Sequence, residues 1–385
     1  MDATAPADPV GLGPQGDLEA LDRMLARDRI LIVAGPGGVG KTTLAAALGL
    51  RAARHHGRRV VVVTVDPARR LAEALGVARL SEEAVLVPVG GEGRMWAVMV
   101  DMARSWDRLV EANGPDAATI ERLLDNGLYR SLTRRFIQSH DYIALDHVLS
   151  LDDGGRYDLI VVDTPPSAHA IDLLDAPGRM IDFFDSRLLR WLTIGGGSGL
   201  AGVAARPFLL VAERLLGRLF LGQIVEFFTL FARLRPALVR RARAVEDRLG
   251  ASDTSYVVVT STEPPVVESC QVLIDRLRQR DRDPELLLVN RLAPTLRLEA
   301  GDGPALVNAV PVGPVDGAIE DPSLAAAVTT LLERAGAARL PVLARSVPVV
   351  AVPLTPGDLT ELDDLDALLG GRDRPEGGGR RAGGG

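Results

Sequence analysis

The sequence predicts an α/β fold: a mostly parallel, twisted sheet flanked by helices, with a helical subdomain formed from two inserts. Three observations carry this. Short apolar runs rich in Val, Ile and Leu recur along the 385 residues, as strands buried on both faces require. Helical patterns separate or follow several of them, which is the mark of strand–helix–strand crossovers. Two long stretches, about 102–150 and 178–250, carry helical periodicity and interrupt the rhythm.

Taken in order, residues 1–17 are rich in Pro, Gly, Ala and Asp and read as a loose tail. No basic segment leads there into an apolar one, so no signal peptide is read and a cytoplasmic location is expected. The main domain is read over 18–370. "RILIVAG" (29–35) is a buried strand ending in glycine, and "KTTLAAALGLRAARHH" (41–56) is an Ala/Leu-rich helix. Further buried strands are "RRVVVVTVD" (58–66), "RYDLIVVD" (156–163), "TSYVVVTS" (254–261), "ELLLVN" (285–290) and "SVPVVAVP" (346–353), and "RMWAVMVD" (94–101) is a candidate for another. Helices are read near 264–281, 319–336 and 358–369. Residues 371–385, a Gly/Arg run without apolar periodicity, read as a disordered tail.

The second insert holds seven of the eight phenylalanines, between Phe183 and Phe231. Leu216, Phe220, Ile224, Phe227 and Phe231 fall on one helix face. Charged residues punctuate the run, which argues against a membrane span. Packing of the insert on itself is the favoured reading over an exposed apolar groove, and "IGGGSGLAG" (194–202) reads as a break within it.

A net charge of −7 gives no basic footprint for nucleic acid, so no nucleic-acid partner is expected. Cys270 is the one cysteine, which excludes an intrachain disulfide and any multi-cysteine metal or iron–sulfur site within the chain. The 44 basic side chains comprise 43 arginines and one lysine, Lys41. Where arginine serves almost everywhere, a retained lysine marks a place that needs a compact point charge on a slim stem.

That place is "GPGGVGKT" (35–42), which fits G-x-x-x-x-G-K-[ST] between an apolar strand and a helix, and so predicts a P-loop NTPase. Gly35, Gly37, Gly38, Val39 and Gly40 form a loop whose N–H groups can face phosphate oxygens. The helix N-terminus adds its positive dipole end, and Lys41 reaches the β- and γ-phosphates. Thr42 is read as a Mg²⁺ ligand and Thr43 as a contact to the α-phosphate. "LIVVDTPP" (159–166) places Asp163 at a strand's C-terminal end, in the crevice where such sheets bind ligands, as a second holder of the Mg²⁺ shell. "TVDPARRL" (64–71) places Asp66 after another strand. It can orient an attacking water, or cap the helix begun by Pro67, or both.

The order of these segments resembles the ArsA-type ATPases, which include the arsenite-pump ATPase and the ATPase that targets tail-anchored proteins. "DPARRL" (66–71) is similar to the family's first switch, with Arg69 in place of a histidine. "DTPPSAHAIDLL" (163–174) is similar to its second switch, keeping Asp163, Thr164, Pro166, His169, Leu173 and Leu174. "TSTEPPVVES" (260–269), "LLLVNRL" (286–292) and "VAVPLTPGDLTELDDL" (350–365) resemble later family segments. The resemblance implies ATP and Mg²⁺ as ligands, Asp66 as the residue that orients the hydrolytic water, Asn290 as the reader of adenine, and Pro353 and Leu354 packing on the base. It also implies a dimer with two ATPs face to face, and a helical subdomain that handles a hydrophobic protein or membrane partner.

Three departures limit what is carried over. The family's loop reads G-K-G-G-V-G-K-T, and its first lysine reaches the partner's phosphates. Pro36 stands at that position here. The C-x-x-C zinc staple of the targeting branch is absent, and so are the cysteines that bind arsenite. Loss of a cross-dimer cation should slow hydrolysis and spare binding. The readings that follow are a slow homodimeric ATPase in which Arg69 or Arg70 supplies the cation, or a heterodimer with a lysine-bearing relative. A non-hydrolysing nucleotide-binding scaffold subunit is the alternative. A positioning ATPase of the ParA/MinD type is disfavoured by the large inserts and the acidic balance.

Overall fold

A computed structural model describes residues 18–65, 70–135, 137–164, 170–185, 218–292, 296–300, 307–311, 347–355 and 361–370. The expectations for both tails, the helix at 319–336, the break at 194–202 and Leu216 lie outside the described residues. These residues fall into two compact units, one within Met1–Val98, Arg156–Ser167 and Asp253–Gly385, the other within Met99–Gly155 and Ala168–Ser252.

The first unit is an eight-stranded sheet. Its strands are β1 (Ile30–Ala34), β2 (Arg59–Thr64), β3 (Val85–Val87), β4 (Arg94–Met99), β5 (Leu159–Asp163), β6 (Thr254–Thr260), β7 (Leu286–Leu292) and, after a separate hairpin, β10 (Val349–Pro353). Their order is β10-β7-β6-β1-β5-β2-β4-β3. The six strands from β10 to β2 are joined by parallel pairings, and β3 pairs with β4 antiparallel. The sheet is therefore α/β and mostly parallel, as the apolar runs predict. Every residue of β1, β5 and β6 is buried, because helices on the sheet's faces leave no polar side to a central strand.

Four elements escape the sequence reading. The helix Leu18–Arg27 buries Leu21, Met24 and Leu25. β3 is three residues long, with Leu86 mostly exposed, too short to show a periodicity. β8 (Leu296–Ala300) and β9 (Val307–Pro311) form a separate two-stranded antiparallel hairpin.

The helix after β1, Lys41–His56, is apolar along one flank and basic in its last turn. Gly57, in the left-handed region, ends it by returning its N–H to Ala52 O. The basic end ties down both flanking segments of the unit. Arg51 pairs with both carboxylate oxygens of Asp22 at 2.8 Å and donates to Leu369 O at 2.7 Å. Arg54 and His55 reach Asp363 and Asp366 on the helix Leu362–Leu368. One helix thus begins at the phosphate-type loop and ends in contact with both flanking helices.

The second unit is helical: Met102–Asn113, Ala117–Asp125, Gly127–Arg135, Ile137–Asp153, Ala170–Asp185 and Arg218–Leu249. Asp101 caps the first by accepting from Ala103 N and Arg104 N, and Asp116 caps the second through Thr119 N. Along Arg218–Leu249, Phe227, Leu230, Phe231, Leu234, Leu238, Ala242, Val245 and Leu249 are buried at three- and four-residue spacing. Phe231 stacks on Phe227 and Phe184, with ring centroids 5.3 and 5.2 Å apart, and Trp106 lies 6.2 Å away. The described phenylalanines of the insert are thus mostly packed inward, with Phe183 on the rim.

The helix Ile137–Asp153 runs through this core, with every residue from Tyr142 to Leu149 buried. That places Asp146 and His147 among apolar neighbours. Burial pushes the Asp146 carboxyl up against the pull of Arg241, which donates to it at 2.6 Å. Burial, with Arg108 nearby, pushes His147 down to about 4.

Two outcomes are expected. Phe231→Ala removes a ring held between two others and should cost about 3–5 kcal/mol in urea unfolding followed by near-UV circular dichroism. His147 is neutral when folded, while its unfolded form takes up a proton near pH 6.5. Stability is therefore full above pH 6.5 and is lost as pH falls toward about 4. The loss should approach about 3 kcal/mol, and His147→Leu should flatten it in denaturant midpoints measured from pH 7 to 4.

Candidate functional site

Parallel pairing sends β1, β2, β5, β6, β7 and β10 to one edge of the sheet by their C-terminal ends. Register aligns three of those ends: Asp163 of β5 lies opposite Val33 of β1 and Thr64 of β2. The segment from Gly35 to Lys41 leaves β1 at this edge and turns into the helix Lys41–His56.

Glycine is required at two points of the turn for different reasons. A Cβ on Gly35 would stand 2.3 Å from Val259 O of β6, so the backbone passes the neighbouring strand too closely for a side chain. Gly40 has φ +90° and forms the helix N-cap in the left-handed region. It offers no side-chain cap, and the first helical turn holds no acidic residue. The N–H groups of that turn are therefore left to an anion, which the helix dipole also favours. Gly37 and Gly38 form the exposed crest, Val39 is buried beneath it, and Thr43 is half-buried in the first turn.

Lys41 is only 6% exposed. Its Nζ donates to Gly35 O and to Pro36 O, both at 2.9 Å, so the ammonium is folded into the mouth of its own loop. Those carbonyls carry no net charge, whereas phosphate oxygens are anionic and attract the ammonium more strongly at the same distance. A polyphosphate entering the loop therefore finds a cation already in place.

Asp163 is 2% exposed. Thr42 Oγ1 donates to its Oδ2 at 2.8 Å, and Thr64 Oγ1 donates to the same oxygen at 3.0 Å. The next residue, Thr164, donates its hydroxyl to Val33 O at 2.7 Å and pins the end of β5 to β1. Thr64 is a site residue that the sequence reading missed. Its signal was a hydroxyl closing the apolar run "VVVVT" two residues before Asp66, a placement that gains meaning only once β2 pairs with β5. Asp66 and Arg69 lie outside the described residues, as do Pro166 and His169. Arg70 opens the short helix Arg70–Ala74.

At the β7 and β10 ends, Asn290 is nearly buried and donates from Nδ2 to Val39 O at 2.7 Å. Pro353 pairs with Leu292, and Leu354 N donates to Leu292 O at 2.9 Å. Leu354 is 49% exposed, leaving an apolar face open within two to three residues of the strand end that carries Asn290. Cys270 is fully buried on the helix Pro264–Arg278, beside Thr260 at the end of β6. Burial pushes its thiol up to about 12, which leaves it neither a nucleophile nor a ligand at neutral pH.

A parallel sheet with a glycine loop, a lysine and a hydroxyl at the start of the next helix defines a P-loop NTPase. The chain belongs to the anion-transporting ATPase (ArsA ATPase) family, whose model matches residues 28–300. It is similar to the ATPase ASNA1 homolog of Entamoeba dispar, 22% identical over 274 residues that cover 69% of this chain and 76% of that protein. It is similar to ATPase GET3B of Arabidopsis thaliana, 24% identical over 301 residues that cover 73% and 69%. ATPase ASNA1 homolog 2 of Paramecium tetraurelia is 26% identical over 154 residues, 39% of this chain, and the chain spans only 44% of that relative's length.

Gly35→Ala should set a methyl group against the Val259 carbonyl and lower stability by about 1–3 kcal/mol, read as a shifted thermal midpoint. Gly38→Ala, whose added Cβ meets nothing within 4 Å, should cost less despite its positive φ.

Proposed function

We propose that this chain is an ATPase that binds ATP–Mg²⁺ in the loop Gly35–Thr43 and hydrolyses it, slowly alone or at full rate in a dimer whose partner completes the site. The observation that carries this is the buried Lys41 ammonium held in the loop, one residue from a Thr42 hydroxyl bonded to Asp163. The relatives' printed name, ATPase, agrees with it.

In this reading the loop amides and Lys41 bind the phosphate chain, and Thr43 lies at the α-phosphate. Thr42 and Asp163 would hold Mg²⁺. A hydroxyl and a carboxylate oxygen 2.8 Å apart are hard oxygen donors of the kind that ion takes. When bound, Mg²⁺ neutralises charge on the phosphate oxygens. Thr64 keeps the Asp163 carboxylate turned toward Thr42. Asp66, two residues beyond Thr64, orients the attacking water, and Pro353 and Leu354 offer the base an apolar face. The helical unit is the element that engages a hydrophobic protein or membrane partner as nucleotide is bound and released, in the cytoplasm.

Pro36 is the point at which a second reading enters. A proline carries neither a cation nor an N–H, so the transition-state charge must be met by an arginine, by a partner's lysine, or not at all. In the last case the chain is a nucleotide-holding subunit without turnover.

The test is ATP turnover and ATP affinity for the parent, Lys41→Ala and Pro36→Lys. Lys41→Ala should weaken ATP binding about tenfold or more, since a charge-assisted contact is lost. Pro36→Lys should raise turnover while leaving affinity within about twofold. A parent already as fast as Pro36→Lys would refute the missing-cation reading. A parent that binds ATP without turnover, alone or mixed with a lysine-bearing relative, would make the chain the holding subunit.

A further inference from the structure

Asn290 is engaged at both ends of its amide within the protein. Nδ2 donates to Val39 O at 2.7 Å, and Oδ1 accepts from Arg291 N at 2.9 Å. These partners fix the amide's orientation, because a flip would set N–H against N–H and oxygen against carbonyl. A second, steric observation points the same way. A Cβ on Gly40 would stand 2.4 Å from Asn290 Nδ2, so this side chain fills the space that the glycine leaves. Arg291 takes φ +57°, uncommon for a side-chain-bearing residue. Its N–H is the one that Oδ1 accepts.

The segment Val39–Gly40 is where the loop turns into the helix. A loop that binds polyphosphate needs its N–H groups facing inward, and so its carbonyls must be satisfied elsewhere. The Val39 carbonyl is satisfied by Asn290 at the end of β7, two strands away from β1 in the sheet.

We propose that Asn290 is a positioning residue for the phosphate loop: it braces Val39 and Gly40 from β7, so its loss weakens binding of any polyphosphate, whatever base is attached. A residue that only reads adenine would behave otherwise, since its loss would spare a ligand without that base. The proposal rests on the nucleotide-binding reading of the loop.

The experiment uses the full chain with Asn290→Leu, which keeps most of the side chain's volume but neither hydrogen bond, and Asn290→Ala. Affinities for ATP, GTP and inorganic tripolyphosphate are measured by calorimetry. Amide hydrogen exchange over 35–43 is followed without any ligand. Both variants should lose about tenfold for all three ligands, with the ATP-to-GTP ratio kept within about threefold. The loop amides should exchange faster in both variants while β1 and β5 stay protected. Loss confined to ATP, with GTP and tripolyphosphate binding and loop exchange unchanged, would overturn the proposal. A parent that binds none of the three ligands would defeat the nucleotide-binding reading, and the exchange rates would still decide whether Asn290 braces the loop.

Discussion

One carboxylate oxygen holds the edge of the sheet together. Asp163 Oδ2 takes hydroxyl hydrogen bonds from Thr42, on the helix that follows the loop, and from Thr64, at the end of β2. A carboxylate this far from water is costly unless its hydrogen bonds are made. The fold makes two of them, both at Oδ2, by ending β5 level with β1 and β2. The same alignment lets Thr164 close onto Val33. Shifting any of these strands by one residue would turn the partner side chain to the other face and leave the Asp163 charge poorly satisfied. Register and site chemistry are thus one constraint, and it makes the loop after β1 start from a rigid base.

Cation chemistry divides along the same line. Arginine serves the interfaces, where a planar fork can grip several acceptors at once. Arg241 engages Asp146, Asp153 and Ser150, Arg248 engages Asp152, and Arg51 grips Asp22 and Leu369. Lysine remains where two carbonyls of a tight loop converge on one ammonium. A compact ammonium on a slim stem suits that place better than a planar guanidinium.

Legibility in the sequence followed physical scale. β1, β2, β5, β6, β7 and β10 were readable because a strand buried on both faces is apolar along its middle, and a run of four or five such residues stands out. β3 was not, because an edge strand of three residues with an outward leucine has no pattern of its own. The helix Leu18–Arg27 hid beside a Pro/Gly-rich tail, with Leu21, Met24 and Leu25 as its only buried face. Asp163 could be picked out because it ends an apolar run. Thr64 could not, since a threonine closing a valine run is an ordinary strand residue until β5 lies beside it.

What the sequence by itself determined is local: which segments are buried strands, where the chain turns through glycine, and that a lysine and a threonine open the following helix. Those follow from side-chain polarity and backbone freedom within a few residues. Only the tertiary structure decided which groups meet. Thr42, Asp163 and Thr64 are 121 and 99 residues apart in their pairings, and Asn290 reaches Val39 across 251. Strand order and register, which no local pattern encodes, bring them to one edge, and hydrogen bonds between buried polar groups then hold them there.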